Sequence, residues 1–345
     1  MSQKNLKIKI EKFLFKSSGK LKFNSKEVKK NDVFIALKGN KFHGHNFIKD
    51  SIKNGAKYAI TEIQDSRLDK NKVLFVKNSL IFLRNVSIRK RIAFKNKIIA
   101  ITGSIGKTSL KETLKFFLSS HLDVSASIKS YNNYLGLLIS LVNINLNSQF
   151  GIFEIGTNNF NEIKKLTKIL NPHQVIITNI YPTHLKNFKN LKNIAYEKGD
   201  LFNPKYNSNL QLLILKNSNT DDKYLINLAK KNMTKNLVTW GSKKNSDFHL
   251  KNIKLINQKS SVTSINHKKE LIKIKTSTNI EHQIINLLIT FILFKFNTLN
   301  TNIFFNKIIK PPLVDGRGKI HRIKIKSKVI NFIDESYNAS PVSML

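Results

Sequence analysis

Several residue types and patterns are scarce in this sequence of 345 residues, and each shortage excludes a class of protein. Cysteine is absent, which excludes disulfide bonds and thiolate catalysis. No apolar run reaches the ~20 residues that a membrane-spanning helix needs. The first residues, MSQKNLKIKIEKFLF, lack the apolar stretch followed by small residues that is typical of a signal peptide. We therefore expect a cytoplasmic protein without a membrane span.

Acidic residues are also scarce, with 21 Asp and Glu against 60 Lys and Arg, for a net charge of +39. Such a charge is typical of proteins that bind nucleic acid or anionic membranes, but it can also reflect a general drift of composition toward lysine. The lysines are spread along every segment and are not interleaved with aromatic residues. We favour the compositional explanation, and we expect no nucleic-acid partner.

Hydrophobic residues make up 41% of the chain, which is enough for a sizeable core, and the length predicts two or three domains. Short apolar runs alternate with longer helical patterns, which favours an α/β fold with a doubly wound parallel sheet. We predict strands at 32–37, 58–61, 73–77, 97–102, 151–155, 174–179, 210–215, 237–240 and 328–334. Helices are predicted at 47–54 and 109–120.

A glycine-rich segment, GSIGKT, lies between the apolar run KIIAIT and a helical pattern. Glycines let backbone N–H groups turn toward phosphates, and the positive end of the following helix favours the same anions. A lysine can reach the β- and γ-phosphates, and a threonine hydroxyl can bind Mg²⁺. The spacing is shorter than in the usual phosphate loop, so an ordinary turn with a solvated lysine remains the alternative. We predict that the segment binds the phosphates of ATP.

Glu154 lies inside the apolar run GIFEIG, and His184 follows the run VIITNI. A buried carboxylate is costly unless it is paired or bound to a metal ion. Ligands of doubly wound sheets gather beyond the carboxyl ends of the strands, where both residues are predicted to lie. Together with Thr108 they could hold Mg²⁺ that bridges ATP phosphates. The alternatives are a lysine partner for Glu154 and a capping role for His184.

Six segments resemble the Mur ligase family, the ATP-dependent amide-bond-forming ligases of peptidoglycan precursor synthesis. They are TGSIGKTS (102–109), KSYNNYLGLLISL (129–141), EIGTNNFNEI (154–163), TNIYPTHLKNF (178–188), AYEKGDLF (195–202) and DESYNASP (334–341). The paired asparagines, the EIGTNNFNEI run and DESYNASP are most similar to the member that joins D-alanyl-D-alanine to UDP-N-acetylmuramoyl-tripeptide. The run DVFIALKGNKFHGHNFI (32–48) is similar to the uridine-nucleotide-binding segment of the family, although His43 stands where Asp is common.

The resemblance implies the three-domain Mur ligase architecture around a central phosphate-loop ATPase domain. We expect a UDP-MurNAc-binding domain at 1–84, an ATP-binding ligase domain at 85–312 and the start of a Rossmann-like C-terminal domain at 313–345. Because that third domain helps to bind the incoming amino compound in the family, we expect weak or no ligation by this chain alone. We also expect poor solubility, since a lone first strand exposes apolar surface.

The resemblance further implies roles for individual residues, with UDP-MurNAc-tripeptide and D-Ala-D-Ala as substrates, ATP and Mg²⁺ as cofactors, and a monomer as the working form. Residues expected to bind ATP are Gly103, Ser104, Ile105, Gly106, Lys107, Thr108, Ser109, Asn286, Arg317 and Asp334. Residues expected to act in catalysis are Lys107, Glu154, His184 and Lys198. Metal ligands are Thr108, Glu154, His184 and, if its amine is carbamylated, Lys198. Residues expected to bind the substrate are Ser25, Gly39, His45, Asn132, Asn133 and Asn158.

Three other functions stay open on the sequence alone. A related Mur-type ligase would add a diamino acid to a dipeptide substrate. A basic phosphate-loop protein would bind nucleic acid without ligase chemistry, with an affinity that falls steeply with salt. A non-catalytic remnant would bind nucleotides only.

Overall fold

A computed structural model describes most of the chain. The described residues are 2–17, 19–40, 42–232, 234–257, 259–305, 308–312, 319–325 and 328–334. Among them, no helix combines the length and the apolar character that are needed to cross a membrane.

The helices are spaced along the chain between strands. They are α1 (Gln3–Phe15), α2 (Ile48–Lys53), α3 (Ser79–Ala93), α4 (Lys107–Ser119), α5 (Tyr134–Val142), α6 (Glu162–Leu170), α7 (Leu185–Phe188), α8 (Leu191–Gly199), α9 (Lys223–Lys231) and α10 (Glu281–Phe296). Short 3₁₀ turns cover Ser25–Glu27, Gly44–Phe47, Asp200–Phe202 and Asn302–Phe304.

The strands are short in the first half of the chain and longer near its end. They are β1 (Leu21–Lys22), β2 (Val33–Ile35), β3 (Tyr58–Thr61), β4 (Val73–Phe75), β5 (Lys97–Thr102), β6 (Val124–Ala126), β7 (Phe150–Glu154), β8 (Gln174–Ile177), β9 (Leu212–Lys216), β10 (Leu237–Gly241), β11 (Phe248–Asn257), β12 (Ser260–His267), β13 (Glu270–Thr276), β14 (Lys319–Ile325) and β15 (Lys328–Asp334).

The chain divides into two compact units. The first contains the described residues up to Asn96 together with Ser125–Gly151, and the second contains Lys97–Val124 and the described residues from Ile152 onward. The predicted boundaries at residues 84 and 312 stay predictions.

The first unit is built on a parallel sheet of order β1-β2-β3-β4. Strand β2 is buried on both faces, since Val33, Phe34 and Ile35 are all 0% exposed. Such continuous burial is typical of a parallel sheet that helices cover on both sides. Helix α1 has Leu6, Ile10 and Leu14 as its buried residues, a spacing of four that places them on one face.

The second unit contains the central strands of a large sheet whose order is β13-β12-β11-β10-β9-β8-β5-β7-β6. Strands β5, β8, β9, β10 and β11 pair in parallel. Residues 98–101 of β5 and 175–177 of β8 are 0% exposed, so the middle of the sheet forms the core of this unit. In such a sheet the carboxyl ends of neighbouring strands meet at one edge, where ligands bind.

An antiparallel extension made of β11, β12 and β13 continues the sheet beyond its parallel part. No strands are predicted from the sequence at residues 248–276. No element is predicted at α1 either, because its alternating KIKI pattern is closer to that of a strand. All nine strands predicted from the sequence overlap observed strands. The two predicted helices overlap α2 and α4, respectively.

Candidate active site

The loop after β5 has the backbone conformation that a phosphate-binding turn needs. Gly103 has φ +146° and Gly106 has φ +85°, both in the region that disfavours L side chains. A Cβ on Gly103 would collide with Thr178 Oγ1, so the loop also requires glycine there for space. Helix α4 begins at Lys107, and Gly106 before it provides no side-chain cap. The N–H groups at this helix end are therefore suited to phosphate oxygens.

Residues that follow β8 hold the loop in place. Thr178 Oγ1 donates to the Ile105 carbonyl at 2.7 Å, and Asn179 Oδ1 accepts from the Ile105 N–H at 3.0 Å. The Ser104 hydroxyl lies 3.0 Å from the Tyr181 carbonyl and 2.9 Å from the Tyr181 N–H. Sequence reasoning did not single out Thr178 and Asn179. Their position directly after a buried strand, at the carboxyl edge of the sheet, was the available signal.

The Lys107 side chain folds back over the loop that precedes it. Its Nζ donates to the Gly103 carbonyl at 2.8 Å and to the Ser104 carbonyl at 3.2 Å. These carbonyls orient the ammonium group beside the loop whose backbone N–H groups are suited to phosphate oxygens. The arrangement puts a positive charge next to any anion held there.

Thr108 and Glu154 meet at the carboxyl edge of the sheet. The Thr108 hydroxyl donates to Glu154 Oε2 at 2.7 Å, and the two residues are 7% and 2% exposed. Because β7 ends at Glu154 and α4 begins one residue before Thr108, the fold brings together residues that are 46 positions apart. Mg²⁺ in proteins prefers oxygen ligands, and this pair offers two, one of them a carboxylate.

His184 immediately precedes α7 and has φ +53°, a left-handed conformation that is uncommon outside glycine and asparagine. Partial burial lowers the pKa of its imidazole, and the positive charges of Lys198 and Lys107 lower it further. A lowered pKa keeps the ring neutral at pH 7, which is the form that binds metal ions.

Lys198 is buried in α8 and is only 4% exposed. Burial lowers the pKa of its amine to about 7, with a contribution from the charge of Lys107, while Glu197 acts in the opposite direction. The lowered pKa raises the share of neutral amine at this position at neutral pH. Sequence reasoning could not separate Lys198 from the many surface lysines, because burial is a property of the fold.

A set of at least three His, Cys, Asp or Glu side chains that could hold a metal ion does not occur among the residues that the structure describes. Protein-only cages are unusual for Mg²⁺, which is usually held by one or two carboxylates plus the phosphates of a substrate. The pair of Thr108 and Glu154 fits that mode of binding.

Among the predicted ATP-binding residues, Asn286 is 5% exposed and points at α4, where its Nδ2 donates to Ser109 Oγ at 2.8 Å. This bond connects α10 to the first turn after the phosphate loop. Asp334 ends β15, where its backbone pairs with that of Lys319. Arg317 and the segment 335–341 lie outside the described residues.

Most of the predicted substrate-binding residues belong to the first unit. Ser25 is 8% exposed, and its carbonyl accepts from Asn54 Nδ2 at 3.0 Å. The Gly39 N–H donates to the Phe42 carbonyl at 3.0 Å. His45 Nδ1 lies 3.0 Å from Thr61 Oγ1, and its Nε2 lies 3.5 Å from Asp65 Oδ2.

The paired asparagines also lie in the first unit, at the start of α5. Asn133 caps this helix, with its Oδ1 accepting from the Gly136 N–H at 2.9 Å, and Asn132 precedes the cap. Asn158 belongs to the second unit, where it is exposed in the loop that follows β7. The predicted substrate residues therefore fall in both units.

The fold and the loop geometry define an α/β protein of the phosphate-loop class. The model of the Mur ligase middle domain matches residues 101–294, and that of the Mur ligase family catalytic domain matches residues 20–93. The chain is 35% identical over 337 residues to the UDP-N-acetylmuramoyl-tripeptide–D-alanyl-D-alanine ligase of Rickettsia prowazekii, covering 94% of this chain and 70% of that protein. It is 29% identical to the enzyme of the same name from Buchnera aphidicola, covering 91% of this chain and 66% of that protein.

Solved structures give the same result. The MurF ligase of Thermotoga maritima in complex with ADP is 25% identical and superposes with a TM-score of 0.75, covering 96% of this chain and 73% of that one. A MurF structure from Acinetobacter baumannii, 24% identical with a TM-score of 0.76, shares the fold and covers 94% and 69% of the two chains. This chain belongs to the Mur ligase family. The predicted family and α/β fold are thereby confirmed.

Proposed function

We propose that this chain catalyses the ATP-dependent joining of D-alanyl-D-alanine to UDP-N-acetylmuramoyl-tripeptide, which forms ADP, phosphate and the UDP-MurNAc-pentapeptide. The observation that carries the proposal is the buried contact between Thr108 and Glu154 beside a braced phosphate loop. Phosphoryl transfer needs positioning and neutralisation of negative charge. The loop and the Lys107 ammonium group supply part of both, and the Thr108–Glu154 pair would hold the metal ion that adds positive charge. The relatives named above point to the substrate pair.

The reaction has two steps. A carboxylate oxygen of the tripeptide attacks the γ-phosphorus of ATP, so that the bond from this phosphorus to the bridging oxygen breaks and ADP leaves. The amine of D-Ala-D-Ala then attacks the carbonyl carbon of the acyl phosphate, loses a proton and expels phosphate. Anions meet in the first step, so we assign the protein mainly to orientation and to stabilisation of negative charge.

We assign the phosphates of ATP to the loop and to the start of α4. The residues in this role are Gly103, Ser104, Ile105, Gly106, Lys107, Thr108 and Ser109. The ammonium group of Lys107, oriented by two loop carbonyls, would stabilise charge on the transferred phosphoryl group. Asn286 would act on the same site through its bond to Ser109. Arg317 and Asp334 are assigned to ATP binding on the family resemblance alone.

We assign Mg²⁺ to Thr108 and Glu154, with His184 as a further ligand. When bound, the metal would neutralise charge on the ATP phosphates. The neutral amine of Lys198 is suited to reaction with CO₂, and the resulting carbamate would add a second carboxylate to the site. Carbon-13 NMR of the protein in labelled bicarbonate would detect this carbamate. If the unmodified chain and Lys198→Met gave identical spectra, Lys198 would not be carbamylated and would not be a metal ligand.

The substrate is assigned to Ser25, Gly39, His45, Asn132, Asn133 and Asn158, on the basis of the family resemblance. We place the protein in the cytoplasm, because the reaction consumes ATP and a soluble UDP-linked precursor. We also propose that it acts as a monomer, and sedimentation of the purified chain at several concentrations would test this.

A paired assay tests the proposed function. The chain is supplied with Mg-ATP and either UDP-MurNAc-tripeptide plus D-Ala-D-Ala or UDP-MurNAc-dipeptide plus a diamino acid, and phosphate release and the binding of each UDP substrate are measured. We expect tighter binding of the tripeptide substrate, and we expect phosphate release, however slow, to occur only with the first pair. Preference for the dipeptide pair would favour a diamino-acid-adding ligase. Binding of neither UDP substrate would refute the proposal.

A further inference from the structure

The loop at residues 157–161 joins β7, which ends at Glu154, to helix α6. The residue that would normally cap this helix, Asn161, has a left-handed φ of +65° and provides no side-chain hydrogen bond. The first N–H groups of a helix need partners, and an acceptor that carries negative charge suits them best. The acceptor comes from a distant part of the chain.

Glu197, in α8, provides this cap. Its Oε2 accepts from the Asn161 N–H at 2.8 Å, and its Oε1 accepts from the Ile163 N–H at 2.8 Å. The residue is only 3% exposed, and its charge is compensated by these donors, by the Thr157 hydroxyl at 3.3 Å and by the positive end of α6. Because Glu197 directly precedes Lys198, the start of α6 is fixed to the segment that carries this lysine.

Glu162 organises the loop from its other end. Its Oε2 accepts from the Asn158 N–H at 2.7 Å and from the Asn159 N–H at 3.2 Å, and its Oε1 accepts from Asn159 Nδ2 at 3.0 Å. Partial burial on its own would raise the pKa of Glu162, but these donors outweigh it and hold the pKa below its usual value. Three donors from two consecutive residues converge on this carboxylate, so the loop is folded around it.

Helix α7 holds the outer side of the loop. Asn187 Nδ2 donates to the Asn158 carbonyl at 2.8 Å and lies 3.1 Å from Asn159 Oδ1. The rings of Phe160 and Phe188 meet edge to face, with their centroids 5.0 Å apart. His184 immediately precedes this helix, and the charge of Glu162 acts on its imidazole.

We propose that Glu162 and Glu197 are positioning residues that fix the loop 157–161 against the segments carrying Glu154, His184 and Lys198, and so present the exposed Asn158 to the peptide end of the UDP substrate. The proposal rests on the proposed function. The backbone of Asn158 is held on both sides, by Glu162 at its N–H and by Asn187 at its carbonyl. The point from which its side chain projects is therefore fixed, and the side-chain amide can both donate to and accept from a peptide group.

Two affinities measured on the same protein test the proposal. We compare the binding of UDP-MurNAc-tripeptide and of Mg-ADP to the unmodified chain and to Glu162→Gln. Glutamine keeps the shape of the side chain but lacks the negative charge that binds the N–H groups of Asn158 and Asn159. We therefore expect the affinity for UDP-MurNAc-tripeptide to fall about tenfold. Mg-ADP affinity should change by less than about twofold, because the phosphate loop is braced separately by Thr178 and Asn179. A general loss of structure would lower both affinities together.

The variant Asn158→Ala tests whether Glu162 affects substrate binding through Asn158. If Glu162 acts through Asn158, the double variant loses little more tripeptide affinity than either single variant. Glu270→Gln is the matched control, since the Glu270 side chain is exposed and pairs at the surface with Lys295 at 3.6 Å. We expect this control to leave both affinities unchanged. Additive losses from Glu162→Gln and Asn158→Ala would overturn the proposal.

A second variant covers the case in which Glu162→Gln does not fold. Asn187 is exposed, so Asn187→Ala removes the outer support of Asn158 without opening the core. It should lower tripeptide affinity and spare Mg-ADP affinity. Unchanged tripeptide affinity in Asn187→Ala and in any folded Glu162→Gln would refute the positioning role, whereas failure of the unmodified chain to bind either UDP substrate would refute the proposed function.

Discussion

At the scale of single residues, Thr108 and Glu154 form a buried pair that would provide two ligands of the proposed metal site. The hydroxyl of Thr108 holds Glu154 Oε2 at 2.7 Å. A carboxylate at the end of a strand would otherwise be costly at 2% exposure. The pair is therefore oriented before a metal ion or a nucleotide binds.

Replacement of Thr108 by valine keeps the shape of the side chain and removes its hydroxyl. We expect the gain in ADP affinity that Mg²⁺ provides to fall about tenfold or more, because one oxygen ligand is lost and Glu154 loses an orienting donor. Affinity measured in EDTA should change little. Thr113→Val is the control, since that hydroxyl donates within α4 to the Ser109 carbonyl at 2.9 Å. Equal losses with and without Mg²⁺ would contradict the assignment.

Lys90 is another buried lysine, and it lies in the first unit. It is 1% exposed, and its Nζ donates to the Leu14 carbonyl at 2.6 Å and to Ser17 Oγ at 3.2 Å. Burial lowers the pKa of its amine from 10.5 to about 8, and the charge of Lys20 adds to the effect. The carbonyl at the end of α1 compensates only part of the cost of burying this charge.

This lowered pKa predicts a specific dependence of stability on pH. Between pH 8 and 10.5 the unfolded chain keeps a proton on Lys90 that the folded chain has lost, so the free energy of unfolding rises with pH. The rise amounts to about 3 kcal/mol for a pKa difference of this size. Urea unfolding of the unmodified chain and of Lys90→Met at both pH values measures it. If the two proteins show the same pH dependence, Lys90 does not titrate in this range.

At the scale of elements, the phosphate loop depends on two glycines for different reasons. At Gly106 a Cβ would have no neighbouring atom within 4 Å, so only the left-handed φ of +85° disfavours a side chain. At Gly103 an added Cβ would collide with Thr178 Oγ1 and would lie 3.2 Å from the Thr178 backbone nitrogen. Thr178 is also the residue whose hydroxyl braces Ile105.

Alanine substitutions should therefore differ in their effect. We expect Gly106→Ala to cost ~1–2 kcal/mol of stability through backbone strain. Gly103→Ala should cost more and should also lower ADP affinity more strongly, because it displaces the brace of the loop. Chemical unfolding and ADP titration of both variants measure these effects. A larger loss of ADP affinity in Gly106→Ala would contradict the assignment of Thr178 as the brace.

At the scale of the whole molecule, the net charge of +39 is the dominant property. Like charges that are spread over a folded surface repel one another, and salt screens this repulsion over about 10 Å at 0.1 M. We expect Tm to rise as sodium chloride increases from 0.05 to 0.5 M, on the order of a few degrees. Potassium chloride at equal ionic strength should give the same rise, since screening does not depend on the cation. A Tm that falls with salt would show that attractive ion pairs dominate.

Local patterns were sufficient to predict the parallel part of the sheet. Buried parallel strands are continuous apolar runs, and β3 and β5 begin and end where such runs do. The antiparallel extension gave a weaker signal, because its strands are not continuous apolar runs: β11 contains two lysines and two asparagines, and β12 contains three serines. The turn between β12 and β13 places Lys268 at φ +54°, where glycine or asparagine is usual, so the sequence showed no hairpin.

Helix α1 illustrates a conflict between two periods. Its KIKI segment alternates like a strand, whereas the residues that it buries, Leu6, Ile10 and Leu14, repeat every four positions. Ser2 caps the helix, accepting from the Asn5 N–H at 3.2 Å. Which period prevails depended on the core that α1 packs against, and no local rule contains that information.

The sequence by itself determined the phosphate loop, the strand before it, the helix after it and the family to which these segments belong. A turn that must approach phosphates requires glycine, lysine and threonine in a fixed order, so a short segment of sequence is enough to predict it. Only the tertiary structure decided which residues support the loop and the proposed site. Asn286 reaches Ser109 across 177 positions, and Glu197 caps α6 from 34 positions beyond Ile163. Burial and hydrogen-bond geometry arise when distant segments pack together, so residues such as Lys198 and Glu197 acquire their character only in the folded chain.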